Sequence, residues 1–110
     1  MEFIAPSDLW AKLHDDPEKD APVVVDVREP REYRRGHIAE ARSVPLPLVS
    51  TIQETLSKDR PIVLACRTGR RSRRAACALA AEGHTNITIL DGGMLAWQSS
   101  GLLEAIHTFA

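Results

Sequence analysis

The sequence predicts an α/β fold, an open parallel sheet of about five strands with helices on both faces. Three observations point there. Short apolar runs rich in β-branched residues alternate with stretches of helical periodicity along the chain. The central runs are apolar at consecutive positions, as in strands covered on both faces, not alternating as in half-exposed ones. The length, 110 residues, suits one domain, taken as residues 1–110.

The elements follow in order. Phe3-Ile4 reads as a short edge strand, and Ser7 as the cap of a helix whose Leu9, Trp10 and Leu13 share a face and which ends before Pro17. Val23-Val24-Val25-Asp26-Val27 is a buried strand, and Ser43-Val44 a second short edge strand. Val49, Ile52 and Leu56 recur at helical spacing until Lys58-Asp59-Arg60-Pro61 breaks the pattern. Ile62-Val63-Leu64-Ala65 is the next strand. A helix beginning near Arg71 runs to about Glu82 and stops at Gly83, whose freedom at positive φ suits a helix end. Ile87 to Leu90 forms the last strand, and Gly92-Gly93 opens a short segment containing Met94, Leu95 and Trp97.

Composition excludes several functional classes. Hydrophobic residues make up 44% of the chain and charged ones 26%, ordinary values for a globular domain with a modest core. The N-terminus has neither a basic nor an apolar leader region, and no apolar run approaches membrane-spanning length. A cytoplasmic protein, or an isolated domain of one, is therefore expected, with no membrane partner. The pI near 6.4 and the few aromatic residues argue against nucleic acid. Two cysteines without a Cys-x-x-Cys pair fit neither a disulfide framework nor a zinc site.

One segment departs from this ordinary background. After the strand comes Cys66-Arg67-Thr68-Gly69-Arg70-Arg71-Ser72-Arg73-Arg74, five arginines in the eight residues following a cysteine. The whole chain carries −1, so without those five the remainder carries −6, and the positive potential is concentrated on one loop. Cationic neighbours and a helix N-terminus are what make a thiol ionise readily. Gly69 permits a backbone turn in which successive N–H groups curl inward as an anion-binding nest, and the helix adds partial positive charge at its start. Ligands of open α/β sheets bind at the carboxyl edge of the strands, where this loop falls. The loop thus reads as a thiolate site that also receives an anion. Cys77 lies among alanines, where cysteine acts as a small structural hydrophobe.

The loop from Cys66 to Ser72 resembles the active-site loop of the rhodanese family of sulfurtransferases. Asp26-Val27-Arg28-Glu29-Pro30-Arg31-Glu32-Tyr33 and Gly36-His37-Ile38 resemble that family's first strand, short helix and following turn, and Asp91-Gly92-Gly93-Met94-Leu95-Ala96-Trp97 resembles its closing segment. The resemblance spans nearly the whole chain. It implies a single rhodanese-like domain in which Cys66 takes the outer sulfur of a small anionic donor such as thiosulfate, expels sulfite, and passes the sulfur from a persulfide to cyanide or a thiol. The covalent relay it implies, through one thiol, needs no metal and no organic cofactor, and a protein persulfide partner is also compatible with it.

Residue roles follow from this reading. Arg67, Thr68, Gly69, Arg70, Arg71 and Ser72 form the substrate cradle, with Arg67 and Arg70 the strongest anion ligands and Ser72 also suited to capping the helix. Consecutive helical residues diverge by about 100 degrees, so Arg73 and Arg74 belong to a solvated face or a partner-docking patch. Asp26 and Arg28, ending a strand at the same sheet edge, brace either the loop arginines or each other. His37 reads as hydrogen-bonded scaffold. Glu40 stands where the resembled family often has glycine, which bears on the geometry of that turn. The tail, residues 102–110, is apolar enough to pack on the domain or on a second subunit.

Two other functions compete. A cysteine phosphatase requires Cys-x5-Arg, hence arginine at position 72, where this chain has Ser72. A rhodanese-like module that serves only to dock a partner would have no use for a thiol in an arginine cradle, whereas a persulfide carrier would.

Overall fold

The computed structural model describes residues 1–15 and 21–106. In chain order these form β1 (Glu2–Ile4), α1 (Pro6–His14), β2 (Val23–Asp26), α2 (Pro30–Arg35), β3 (Arg42–Ser43), a 3₁₀ segment (Leu46–Glu54), β4 (Ile62–Ala65), α3 (Arg70–Ala81), β5 (Ile87–Leu90) and α4 (Gly93–Ser99). Among the described residues the five strands form one sheet, all parallel, in the order β1-β5-β4-β2-β3. The two short strands expected at the edges are the edges. β3 sits one residue earlier than expected, and Val44 extends it by donating its N–H to the Asp26 carbonyl at 2.9 Å.

The strands form where they do because Val and Ile fit a pleated surface packed from above and below. Successive side chains of a strand point to opposite faces, and the chain uses that period to build two cores. Val23, Val25, Ile62, Leu64 and Cys66 pack with Ala75, Ala76 and Leu79 of α3 and with Val49 and Ile52 of the 3₁₀ segment. Val24, Val63 and Ala65 face the other way, against Leu9 of α1 and Met94 and Trp97 of α4. Helices thus cover both faces, and β4 lies at the centre of the sheet.

Two local expectations are corrected. Ser7 does not cap α1: the cap position is Ala5, with no side-chain hydrogen bond, and Pro6 opens the first turn. Proline is pre-set for that position because its fixed φ is helical and its missing N–H would have had no intrahelical partner. The expected stop at Pro17 lies outside the described residues, and α1 itself ends at His14. The stretch around Val49 and Ile52 is 3₁₀, not α. Leu48 N–H bonds the Pro45 carbonyl at 2.8 Å and Thr55 N–H the Ile52 carbonyl at 3.0 Å, while Pro47 has no N–H to give. Residues three apart share a face in both helix types, so the pattern identified the buried side correctly while leaving the pitch open.

The described part of the tail is hydrogen-bonded to the domain and packs Leu102 against it, while Leu103 and Ile106 are exposed. Trp97, fully buried, donates its indole N–H to the Leu103 carbonyl at 3.1 Å, and His37 and Ala105 exchange backbone hydrogen bonds of 3.0 and 2.7 Å. Residues 107–110 lie outside the described residues.

Leu64 sits between Val25 and Ile89 across the central strands and is 0% exposed. Leu64→Ala is expected to cost about 2–5 kcal/mol, the range for a buried leucine that leaves a cavity. The shift of the urea midpoint at constant slope measures it.

Candidate active site

Cys66 directly follows β4 and keeps its parity, so its side chain emerges on the α3 face of the sheet. The chain then turns through Arg67 and Thr68 to Gly69, which has φ +117° and occupies the N-cap of α3. An L side chain is strained at that φ, whereas glycine adopts it freely. The turn brings the Gly69 N–H onto Cys66 Sγ, 2.9 Å away. An N–H aimed at sulfur stabilises it as an anion, as does the dipole of the twelve-residue helix behind it.

The carbonyls of the loop are drawn the other way. Met94 N–H donates to the Cys66 carbonyl at 2.7 Å and Leu95 N–H to the Arg67 carbonyl at 3.1 Å. These donors are first-turn N–H groups of α4, which have no partner within their own helix. Close approach is possible because Gly93 has no side chain. At its φ of +62° a Cβ would lie 2.4 Å from the Arg67 oxygen and 2.5 Å from the Cys66 oxygen. Gly93 is therefore part of the site, although the residues alone mark it only as the start of a segment and the resemblance only as part of a closing one.

The resulting cleft has a volume of about 830 Å³ and is lined by Cys66, Arg67, Thr68, Gly69, Arg70, Arg71, Arg73 and Arg74. Among the described residues no acidic side chain lines it. Cys66, though 1% exposed overall, contributes to its wall. Among the described residues no three His, Cys, Asp or Glu side chains gather in a metal-binding cluster.

Several residues are placed differently from the sequence reading. Arg71 is held by Glu32 of α2 through two hydrogen bonds, Nη1 to Oε1 at 2.6 Å and Nη2 to Oε2 at 3.0 Å. This fork-to-fork pairing drives the Glu32 carboxyl from its ordinary 4.5 down to about 2 and raises the Arg71 guanidinium. Glu32 Oε1 also accepts the Glu29 N–H at 3.1 Å, which ties the first turn of α2 to the first turn of α3. Arg71 thus supplies charge to the cleft while its fork is engaged elsewhere. Nothing in the local sequence signals a partner 39 positions away. Ser72 is 0% exposed, does not line the cleft and does not cap α3, since the cap position falls on Gly69 and Ser72 sits in the first helical turn.

Asp26 and Arg28 brace each other. Asp26 Oδ1 accepts Arg28 Nε at 3.0 Å and its backbone N–H at 3.1 Å, and Oδ2 accepts Nη2 at 2.8 Å. Nη2 also donates to the Gly36 carbonyl at 2.8 Å, so this buried pair pins the turn after α2 to the end of β2. His37 lies in that turn, 2% exposed, stacked on Tyr33 at 3.7 Å with Nδ1 donating to the Tyr33 carbonyl at 2.8 Å. Glu40 is exposed and bonded to His14 Nε2 at 3.0 Å.

Cys77 is not a core residue. Both cysteines are free thiols, and Cys77 is exposed because the buried stripe of α3 runs through Ser72, Ala75, Ala76 and Leu79. Alanines on all sides of the helix hid that stripe in the sequence. Arg73 and Arg74 line the outer cleft, and the Arg73 guanidinium sits 5.2 Å from the centroid of the Phe3 ring.

Comparison with known proteins bears on the family and the fold. The family model described as Rhodanese-like domain matches residues 5–100. A sulfurtransferase of Allochromatium vinosum is 36% identical over 80 residues, covering 73% of this chain and 75% of that protein. The thiosulfate sulfurtransferase GlpE of Pseudomonas entomophila is 35% identical over 78 residues, covering 71% and 72%. Some relatives are longer, and the chain spans 48% of a Synechocystis protein to which it is 39% identical. Among solved structures, a rhodanese-related protein from Thermoplasma volcanium superposes with a TM-score of 0.82 at 28% identity, covering 97% of this chain and all of the other.

The pair between Glu32 and Arg71 makes stability depend on acid. The folded carboxyl has the lower pKa, so its contribution is complete above about 4.5 and is lost as pH falls from 4.5 toward 2. Both side chains are roughly 30% exposed, and solvent screening moderates the size of the effect. His84, held below 6.5 by burial and by Lys58, begins to cost stability at higher pH than this. Comparing urea midpoints of the wild type and Glu32→Gln across pH 2 to 6 isolates the carboxylate: the variant is expected to show a flatter profile below 4.5 and an unchanged slope above it.

Proposed function

The chain belongs to the rhodanese-like domain family, and on that premise we propose that it is a sulfurtransferase working through a persulfide on Cys66, with thiosulfate or a persulfide as donor and cyanide or a thiol as acceptor. The observation that carries this reading is the placement of Cys66 Sγ under the Gly69 N–H in a cleft walled by guanidinium groups, with no carboxylate lining it among the described residues. Relatives named sulfurtransferase and thiosulfate sulfurtransferase support the reaction class.

The chemistry balances with the groups at hand. The Cys66 thiolate attacks the outer sulfur of thiosulfate, the new S–S bond forms as the old one breaks, and sulfite leaves with the bonding pair. Charge is conserved, because thiolate and dianion become persulfide anion and dianion. The acceptor then attacks the outer sulfur and Cys66 leaves as thiolate. No proton moves in either step with cyanide, so no general base is required. Arg67 and Arg70 take the sulfonate oxygens, Arg71 adds field while bound to Glu32, and inward N–H groups hold the persulfide anion. Asp26 and Arg28 act at a distance, by fixing the strand end beside the loop.

A cysteine phosphatase loop needs its arginine at the position of Ser72, which is buried and outside the cleft. p-Nitrophenyl phosphate should accordingly show no turnover while sulfur transfer proceeds. Robust release of nitrophenol dependent on Cys66 would overturn the reading.

Intact-mass analysis after incubation with thiosulfate should show a gain of about 32 Da, one sulfur atom, in the wild type and in Cys77→Ser, and none in Cys66→Ser. Serine is close to isosteric but holds no persulfide, so thiocyanate formation is expected to vanish in Cys66→Ser with the fold intact. A gain that depended on Cys77 instead would reassign the nucleophile.

A further inference from the structure

Two of the guanidiniums in the cleft have no part in the reaction just described. Arg73 and Arg74 stand three and four residues beyond Arg70, which places them about 4.5 to 6 Å further along α3. A five-atom dianion held at Cys66 by Arg67 and Arg70 leaves them without an anion. The cleft, at about 830 Å³, is likewise of the size that takes a drug-sized ligand, not an ion. The Arg73 guanidinium is held over the Phe3 ring, an arrangement that fixes the cation while leaving its N–H donors available. Phe3, on the edge strand β1, is itself 43% exposed, and Met1, just before that strand, is 67% exposed, so apolar surface adjoins the charge. The rest of the molecule carries a net −6, which concentrates the attractive field at this mouth.

We infer that the outer cleft docks a partner protein whose sulfur-exchanging cysteine lies in an acidic segment, its carboxylates seated on Arg73 and Arg74 while its sulfur reaches Cys66. The inference rests on the persulfide reading above and names the kind of partner that reading requires. Charge complementarity selects the acidic segment, and the apolar rim at Phe3 and Met1 supplies what a protein contact needs and a small anion does not. An RNA partner is disfavoured by the overall negative charge and by the absence of any aromatic ring among the cleft-lining residues.

The test uses the Cys66 persulfide, charged with thiosulfate, and two five-residue synthetic acceptor peptides. In one a cysteine is flanked on each side by two glutamates, and in the other by two glutamines. At low salt the wild type is expected to favour the acidic peptide by roughly tenfold in kcat/KM, a preference that collapses at high ionic strength. In Arg73→Gln/Arg74→Gln the preference should fall severalfold while turnover with cyanide stays within about twofold. Comparing the peptide ratio between the two proteins cancels the intrinsic difference in thiol acidity. An unchanged ratio in the double variant, or no preference in the wild type, overturns the docking site. Competition by a single-stranded RNA oligomer at concentrations where the acidic peptide still fails to bind overturns it in favour of nucleic acid. If no sulfur is gained on Cys66 at all, it is the persulfide reading that fails. If the persulfide forms and cyanide consumes it without any peptide preference, only the docking site does.

Discussion

The capture of two carbonyls, those of Cys66 and Arg67, by the first-turn N–H groups of α4 governs the rest of the site. A tight loop between a strand and a helix has to dispose of every peptide oxygen and every peptide hydrogen. Here two of the oxygens are turned toward donors that need acceptors, and the Gly69 hydrogen is turned onto Cys66 Sγ. Two deficits, unbonded N–H groups at the start of α4 and unbonded carbonyls in the loop, cancel. Gly93 is the requirement, since a Cβ there would occupy the space the carbonyls use.

Charge is arranged in two tiers around this frame. The inner tier is self-satisfied: Asp26 with Arg28, and Glu32 with Arg71, each carboxylate gripping a guanidinium through both of its oxygens. These pairs join β2 to the turn after α2, and α2 to α3, so they set distances between elements that the backbone does not link directly. The outer tier, Arg67, Arg70, Arg73 and Arg74, faces the cleft without acidic neighbours in its lining. Burying a charge demands a partner, whereas exposing one leaves it free for a ligand, and the chain uses both rules within a few residues of each other.

Strands were the most legible part of the sequence, because runs such as Val23-Val24-Val25 and Ile62-Val63-Leu64 have few alternatives to a sheet interior. The three interior strands β2, β4 and β5 came from that signal, the two short edge strands carry it only weakly, and Gly83 marked the end of α3. Cys66 and its loop were legible as chemistry because the charge of five arginines stands out against an acidic remainder. What stayed hidden depends on distance or on facing. The grip of Glu32 on Arg71 joins residues 39 apart, and the hold of α4 on the loop joins two segments through backbone atoms, which carry no sequence signature at all. Cys77 was misplaced because a helix of alanines and arginines shows no clear apolar stripe. Ser7 and Ser72 were misread because serine suits a cap, yet the caps fall on Ala5 and Gly69, two positions before the first and three before the second.

Cys66 shares the parity of Ile62 and Leu64, and a consequence lies in how such a site tolerates change over generations of mutation. The direction of the nucleophile is clocked by the pleat of β4, deep in the most constrained strand, whereas the residues that choose its ligands hang from the loop and from the exposed side of α3. Loss of a single residue within β4 would turn the sulfur to the opposite layer and silence it even in a chain that still folded. Substitutions at positions 67, 68, 70, 73 and 74 would leave the sulfur in place and alter only what it meets. The architecture separates the invention of reactivity from the choice of clientele, so that selection can retune the second without risking the first.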